Sequence, residues 1–290
     1  MSRETFRTLS GRVPIRALPA GATDCHMHLF DSARYGAHPG GPPAPADALI
    51  EHYEQVQAWL GLERVVVVQG NAYQTDNRVV LDALDHFGDT ARGVVAVKPD
   101  IAEDVLDAMT EAGVRGARIM NILQGAVGLD QMLAVNARVH PFGWSMIVQF
   151  DGREMAEHAS ALEKIKGNYV IDHMGKFLEP VTPDSAAFAA LLRLVDRGNC
   201  YVKVAGCYET SRTGAPGYDD VAALSKAMIR HAPDRVIWGT NWPHNSSNGP
   251  ETYPDEVQLL DCAMAWAGGS ENIRKIFVDN PDTLYGFATS

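Results

Sequence analysis

Eight short apolar runs, each followed by a stretch with helical spacing, constrain this chain more than any other feature. The runs are Ala22–His28, Arg64–Gln69, Arg92–Val97, Gly116–Met120, Ser145–Phe150, Tyr169–His173, Cys200–Ala205 and Arg235–Gly239. Helical periodicity fills the gaps over Ala46–Leu60, Asp76–Phe87, Ile101–Glu111, Gln131–His140, Arg153–Ile165, Ser185–Asp196 and Tyr218–His231. Val65-Val66-Val67-Val68 is apolar without alternation, as a strand covered on both faces requires. Eight such units in 290 residues predict a (β/α)8 TIM-like barrel. The last helices, about Tyr253–Gly268 and Glu271–Tyr285, are expected to pack outside it. A doubly wound open sheet is the alternative, weakened by the lack of a Gly-rich phosphate fingerprint after the first run. One domain over residues 1–290 is expected, with 1–20 as an irregular extension. Gly36–Pro45, rich in Gly and Pro, reads as a loop above the barrel mouth.

Composition narrows the partners. A net charge of −11 argues against nucleic acid and anionic membranes. An anionic small molecule would need a local cluster of cations. No apolar run reaches the roughly 18 residues of a membrane span, and Met1–Ser10 lacks a signal-peptide core, so the cytoplasm is expected. Cys25, Cys200, Cys207 and Cys262 have no CxxC spacing and read as buried thiols.

In a barrel of this kind, polar residues at the C-terminal ends of strands line the active-site mouth. Strand 1 ends Asp24-Cys25-His26-Met27-His28, and its two imidazoles share the inward face. That spacing suits metal ligation and also a pair of hydrogen-bonding groups. Arg118 lies inside an apolar strand, which is costly unless an anion pairs with it. It is either a structural ion pair or a fork for a substrate carboxylate. Strand 8 runs into Gly239-Thr240-Asn241-Trp242-Pro243-His244. Asn241 stands where a carboxylate could ligate metal or take a proton, and an amide is poor at both. Asn71, Gln74 and Tyr208 are further polar candidates at the mouth; Arg212 is a candidate cation, and Lys203 faces the interior or belongs to a structural pair. Thr75 and Asp76 are read as caps of the next helix.

Three motifs together carry a resemblance: His26-x-His28, Asp172-His173-Met174-Gly175-Lys176, and Val236-Ile237-Trp238-Gly239-Thr240-Asn241-Trp242-Pro243-His244. With Asn280-Pro281 and Leu284-Tyr285 at the end, the chain resembles the amidohydrolase superfamily over about Gly21–Phe287. More narrowly it looks like the metal-independent lactonase branch, which acts on 2-pyrone-4,6-dicarboxylate and related lactones. The resemblance implies a barrel, a lactone substrate and catalytic groups at His26, His28, His173 and position 241. It also implies an anion-binding role for Arg118 and Lys176, with Gln149 nearby. Metal-dependent members add a Lys or Glu on strand 4, a His on strand 5 and an Asp on strand 8. Here those places hold Arg118, Gln149 and Asn241, so neither metal nor another cofactor is expected.

The resemblance further extends to lactone-isomerising members. It implies conversion of D-galactaro-1,5-lactone to the 1,4-lactone, in which the substrate's own hydroxyl replaces water. In that reading His26 and His28 polarise the carbonyl, His173 shuttles the proton, and Arg118 with Lys176 holds the carboxylate. Gln149, Asn71, Gln74, Tyr208 and Arg212 complete the substrate contacts. Three rivals stand beside it: a lactone hydrolase with His173 as base, a catalytically silent sugar-acid binding protein, and a hydrolase in which Asn241 is an engineered change.

Overall fold

Each of the eight apolar runs forms a strand. The computed structural model describes residues 6–247 and 249–287. The strands are β1 (Thr23–Met27), β2 (Arg64–Val68), β3 (Ala91–Val95), β4 (Val114–Met120), β5 (Ser145–Gln149), β6 (Tyr169–Ile171), β7 (Cys200–Val204) and β8 (Val236–Trp238). They pair in parallel and in sequence order, which makes the (β/α)8 architecture. Helices α1 (Ile50–Leu60), α2 (Arg78–Phe87), α3 (Glu103–Glu111), α4 (Met132–Val139), α5 (Met155–Leu162), α6 (Ala186–Val195) and α7 (Asp219–His231) fill the crossovers. Helix α8 (Glu256–Ala267) follows β8.

Alternate residues of the strands serve two cores, which is why the runs are apolar throughout. Val65, Val67, Ile119 and Val148 belong to the large cluster shared with the helices. Val66, Val68, Ile147, Val170, Tyr201 and Ile237 fill the barrel interior, joined there by Leu284, Tyr285 and Phe287 from the C-terminal segment. The β1 register shifts between Asp24 and Met27, so Cys25, His26 and His28 are all drawn towards that interior.

Closure between β1 and β8 comes after the ladder ends. The Asn241 amide donates to the His26 carbonyl and the His28 amide to the Trp242 carbonyl, both at 2.8 Å. Gly239 permits this approach: a Cβ there would lie 2.6 Å from the His26 nitrogen and Cβ. Asp24 pins the same seam, accepting from His26 N at 2.9 Å, Thr240 N at 3.0 Å, Thr240 Oγ1 at 2.6 Å and Tyr53 Oη at 3.0 Å. Burial raises its carboxyl pKa to about 6, against the pull of these donors.

Most boundaries shift by one to three residues, and two depart further. The first helix begins at Ile50 rather than Ala46, because Phe30 and Ala48 form an antiparallel bridge first. The expected helix over 271–285 is three pieces: Ser270–Arg274, a π-helical turn at Lys275–Asp279, and Asn280–Tyr285. Pro281 has no amide to donate at the start of the last piece. No helix among the described residues is long and apolar enough to cross a membrane.

Candidate active site

A cavity of about 330 Å³ opens at the C-terminal ends of the strands. His28, Arg118, Gln149, His173, Lys176, Glu209 and Asn241 supply much of its polar lining. Phe30, Pro42, Pro43 and Pro45 face it from the first loop, and Met120, Ile122 and Leu123 from the β4 side. The volume sits at the low end of the roughly 300–1,000 Å³ usual for small-molecule sites. His173, Lys176, Asn241 and His244 adopt positive φ of 49°, 46°, 61° and 59°. Such conformations are uncommon outside glycine and cluster where function over-determines the backbone.

Below the cavity a chain of hydrogen bonds fixes every proton. His28 Nδ1 lies 2.8 Å from the Val68 carbonyl, which can only accept, so Nδ1 carries a hydrogen. Burial, reinforced by Arg118, lowers the His28 pKa to about 3, so the ring is neutral and its Nε2 is an acceptor. His26 Nε2, at 3.1 Å, must donate to it. His26 is itself held neutral by burial and by Lys203, leaving its Nδ1 to accept from Lys203 Nζ at 2.9 Å. Lys203, with no exposed surface, also pairs with Asp172 at 3.2 Å. Burial opposes ionisation of Asp172, but the Lys203 and Arg118 cations hold its carboxyl well below the usual range.

His26, Asp172 and His173 bring ligand-type atoms within 4.8 Å of one another, the one such cluster among the described residues. The donor set does not fit a divalent cation. Both His26 nitrogens and both His28 nitrogens are already committed, and the Lys203 ammonium fills the position between His26 and Asp172. A metal would need the lone pair that Lys203 occupies.

Arg118 is buried yet lines the cavity. It donates from Nη1 to the Gln69 carbonyl and from Nη2 to Gln149 Oε1, both at 3.0 Å, and lies 3.9 Å from Asp172. Its Nε has no partner among the described residues. His173 is neutral because burial lowers its pKa, opposed by the Asp172 charge. Its Nε2 is 3.8 Å from Asp172, too long for a hydrogen bond, and its Nδ1 has no partner among the described residues. Gly206, at φ +60°, keeps space beside this ring: a Cβ there would stand 2.9 Å from His173 Nδ1.

Glu209 is the functional candidate that sequence reasoning passed over. It follows β7, pairs with Lys176, and accepts from Asn241 Nδ2 at 3.1 Å. Burial raises its pKa, but the Lys176 ammonium outweighs that and keeps it ionised. A carboxylate therefore remains in the mouth, one strand away from the position that lacks it. The usable signal was an acidic residue just past a strand end, flanked by the two named candidates Tyr208 and Arg212.

Other candidates are turned from the cavity or already engaged by protein partners. His26 lies beneath His28, edge-on to it, and neither ring keeps a free N–H, so the oxyanion role expected of the pair has no donor. Gln74 turns away to Asn71 and the Gln124 carbonyl, while Asn71 stays on the lining and ties the β2 and β4 loops together. Tyr208 stands behind Asn241, bonded to it at 2.7 Å. Arg212 is exposed and reaches the Leu178 carbonyl and Glu179, away from the cavity. Lys176, expected to meet a substrate anion, is already paired with Glu209.

Comparison with known proteins matches residues 23–287 to the amidohydrolase family. A D-galactarolactone isomerase of Agrobacterium fabrum is 42% identical over 284 residues, covering 97% of each chain. A 2-pyrone-4,6-dicarboxylate hydrolase of Comamonas testosteroni is 32% identical, covering 92% of this chain and 91% of its own. An apo crystal structure from Agrobacterium tumefaciens superposes with a TM-score of 0.94 at 42% identity, covering 98% of this chain and all of that one.

Proposed function

The chain belongs to the amidohydrolase family, and we propose that within it this protein isomerises a sugar-acid lactone, D-galactaro-1,5-lactone to the 1,4-lactone. The observation that carries the reading is that Asn241 and a neutral His173, whose Nδ1 has no partner among the described residues, line the same cavity. That lining offers a neutral imidazole as proton acceptor and an amide at the strand-8 position, while the nearby Glu209 carboxylate is tied to Lys176 and Asn241.

In the proposed step the substrate's O4 attacks C1, and the carbonyl electron pair moves onto its oxygen. Collapse of the tetrahedral intermediate breaks the C1–O5 bond. His173 takes the proton from O4 and returns it to O5, so no water is consumed. General-base help is worth roughly 10²–10⁴-fold, whereas a well-placed internal nucleophile reaches effective molarities of about 10⁵ M or more. Losing the water-activating base therefore costs an intramolecular reaction little. In this reading Arg118 holds the substrate carboxylate, and the Gln149 side-chain amide donates to the developing oxyanion. With both histidines neutral, the cations Arg118 and Lys176 against the anion Glu209 leave one net positive charge on the lining. A lactone with one free carboxylate matches it.

The deciding experiment is NMR of D-galactaro-1,5-lactone in 18O-water with chelator-treated protein. Unlabelled 1,4-lactone is the expected product. Labelled open-chain diacid would replace isomerisation with hydrolysis, and tight binding without turnover would leave a binding protein.

A further inference from the structure

The environment of Asn241 extends into a buried chain that the reaction does not use directly. Glu256 and His244 are almost fully buried, at 1% and 0% exposure, behind the β8 loop. His244 Nε2 lies 2.7 Å from Glu256 Oε1, and Tyr253 Oη donates to the same oxygen at 2.8 Å. His244 Nδ1 is 2.8 Å from Tyr208 Oη, which is 2.7 Å from Asn241 Nδ2.

The direction of these bonds can be read from their ends. An ionised carboxylate only accepts, so His244 Nε2 carries a hydrogen towards Glu256. With a single ring proton, on Nε2, Nδ1 accepts and the Tyr208 hydroxyl donates to it. The Tyr208 oxygen is left to accept, so the atom of residue 241 that faces it must be a donor. Glu209 imposes the same demand independently, since its Oε1 is 3.1 Å from that atom and accepts only. An aspartate at 241 would give Tyr208 no donor and would press a second carboxylate against Glu209. These surroundings fit an amide.

We propose that Tyr208, His244 and Glu256 are positioning residues that lock the Asn241 amide with Nδ2 inward and Oδ1 turned to the cavity. Oδ1 has no protein donor among the described residues. It accepts the hydrogen bond of the substrate's attacking hydroxyl and aims the oxygen lone pair at the carbonyl. This role rests on the isomerase reading; the amide orientation does not.

Two measurements test the proposal. Tyr208→Phe keeps the ring and removes the acceptor; kcat should fall about tenfold, the scale of one lost buried hydrogen bond, with KM within about twofold. Glu256→Gln retains an acceptor for His244 and should hold kcat within about threefold. Full kcat in Tyr208→Phe, or parallel losses of kcat, KM and melting temperature in both variants, would overturn it. Neutron diffraction of the unaltered protein reads the amide directly, whatever the variants do. Deuterons on the atom facing Tyr208 and Glu209 support the proposal, and a bare oxygen there refutes it. Absence of galactarolactone turnover would sink the isomerase reading and leave this orientation test standing.

Discussion

The floor and the wall of the cavity use the same residue types to opposite ends. On the floor, Lys203, His26 and His28 form a closed series in which each lone pair and each histidine proton is committed, ending on the Val68 carbonyl. On the wall, Arg118 Nε and His173 Nδ1 are buried without partners among the described residues, and Asn241 Oδ1 has no protein donor there. A buried polar group costs free energy until it is bonded, so the floor stabilises the barrel while the wall waits for ligand. Imidazole alone does not make a catalytic group; what its two nitrogens already hold decides the matter.

If the floor is structural, acid should attack it first. His28 has its pKa lowered to about 3 by burial, against about 6.5 in the unfolded chain, and burial with Lys203 lowers that of His26 as well. A depressed folded-state pKa means that stability is full above pH 6.5 and is lost as pH falls towards 3. Integrated over that window, His28 alone accounts for about 5 kcal/mol. Denaturant midpoints measured across the window should drop accordingly, and a flat profile would place the protons elsewhere.

Breaking the ammonium link comes next in size. Lys203→Met should destabilise the protein by about 3–5 kcal/mol, because Asp172 loses its closest cation. The same change frees His26 Nδ1, and Co²⁺ added to the variant should give a visible d–d spectrum that the parent lacks. Identical spectra would show that Lys203 is not what keeps a metal out.

The smallest effect sharpens the wall. Arg118→Lys keeps the charge and loses the fork, so KM for the lactone should rise roughly tenfold to a hundredfold, with a modest fall in melting temperature as Gln69 and Gln149 lose a donor. An unaltered KM would move the carboxylate site away from Arg118.

The barrel was legible because strands buried on both faces cannot hide their apolar continuity, as Val65–Val68 shows. The π turn at Lys275–Asp279 was not, since its 3.6-like spacing reads as ordinary helix. Asn241 could be placed at the mouth from its position just past a strand end, Arg118 from the cost of a guanidinium inside an apolar strand, and Gln149 and His173 from the family resemblance. The fates of His26 and Glu209 could not: each depends on partners distant in sequence, Lys203 for one and Lys176 with Asn241 for the other. An acidic loop residue looks solvated until a lysine and an amide are found beside it.

The seam between β1 and β8 bears on how such a site changes over time. Residue 241 holds the barrel shut through its backbone amide, bonded to the His26 carbonyl, while its side chain takes no part in closure. The backbone sits at φ +61°, a conformation that Asn and Asp tolerate far better than other side chains. These two residues are one nucleotide apart in the genetic code. Architecture is thereby separated from side-chain chemistry at a single position: Asn241→Asp should leave the seam intact and meet its cost only at Tyr208 and Glu209.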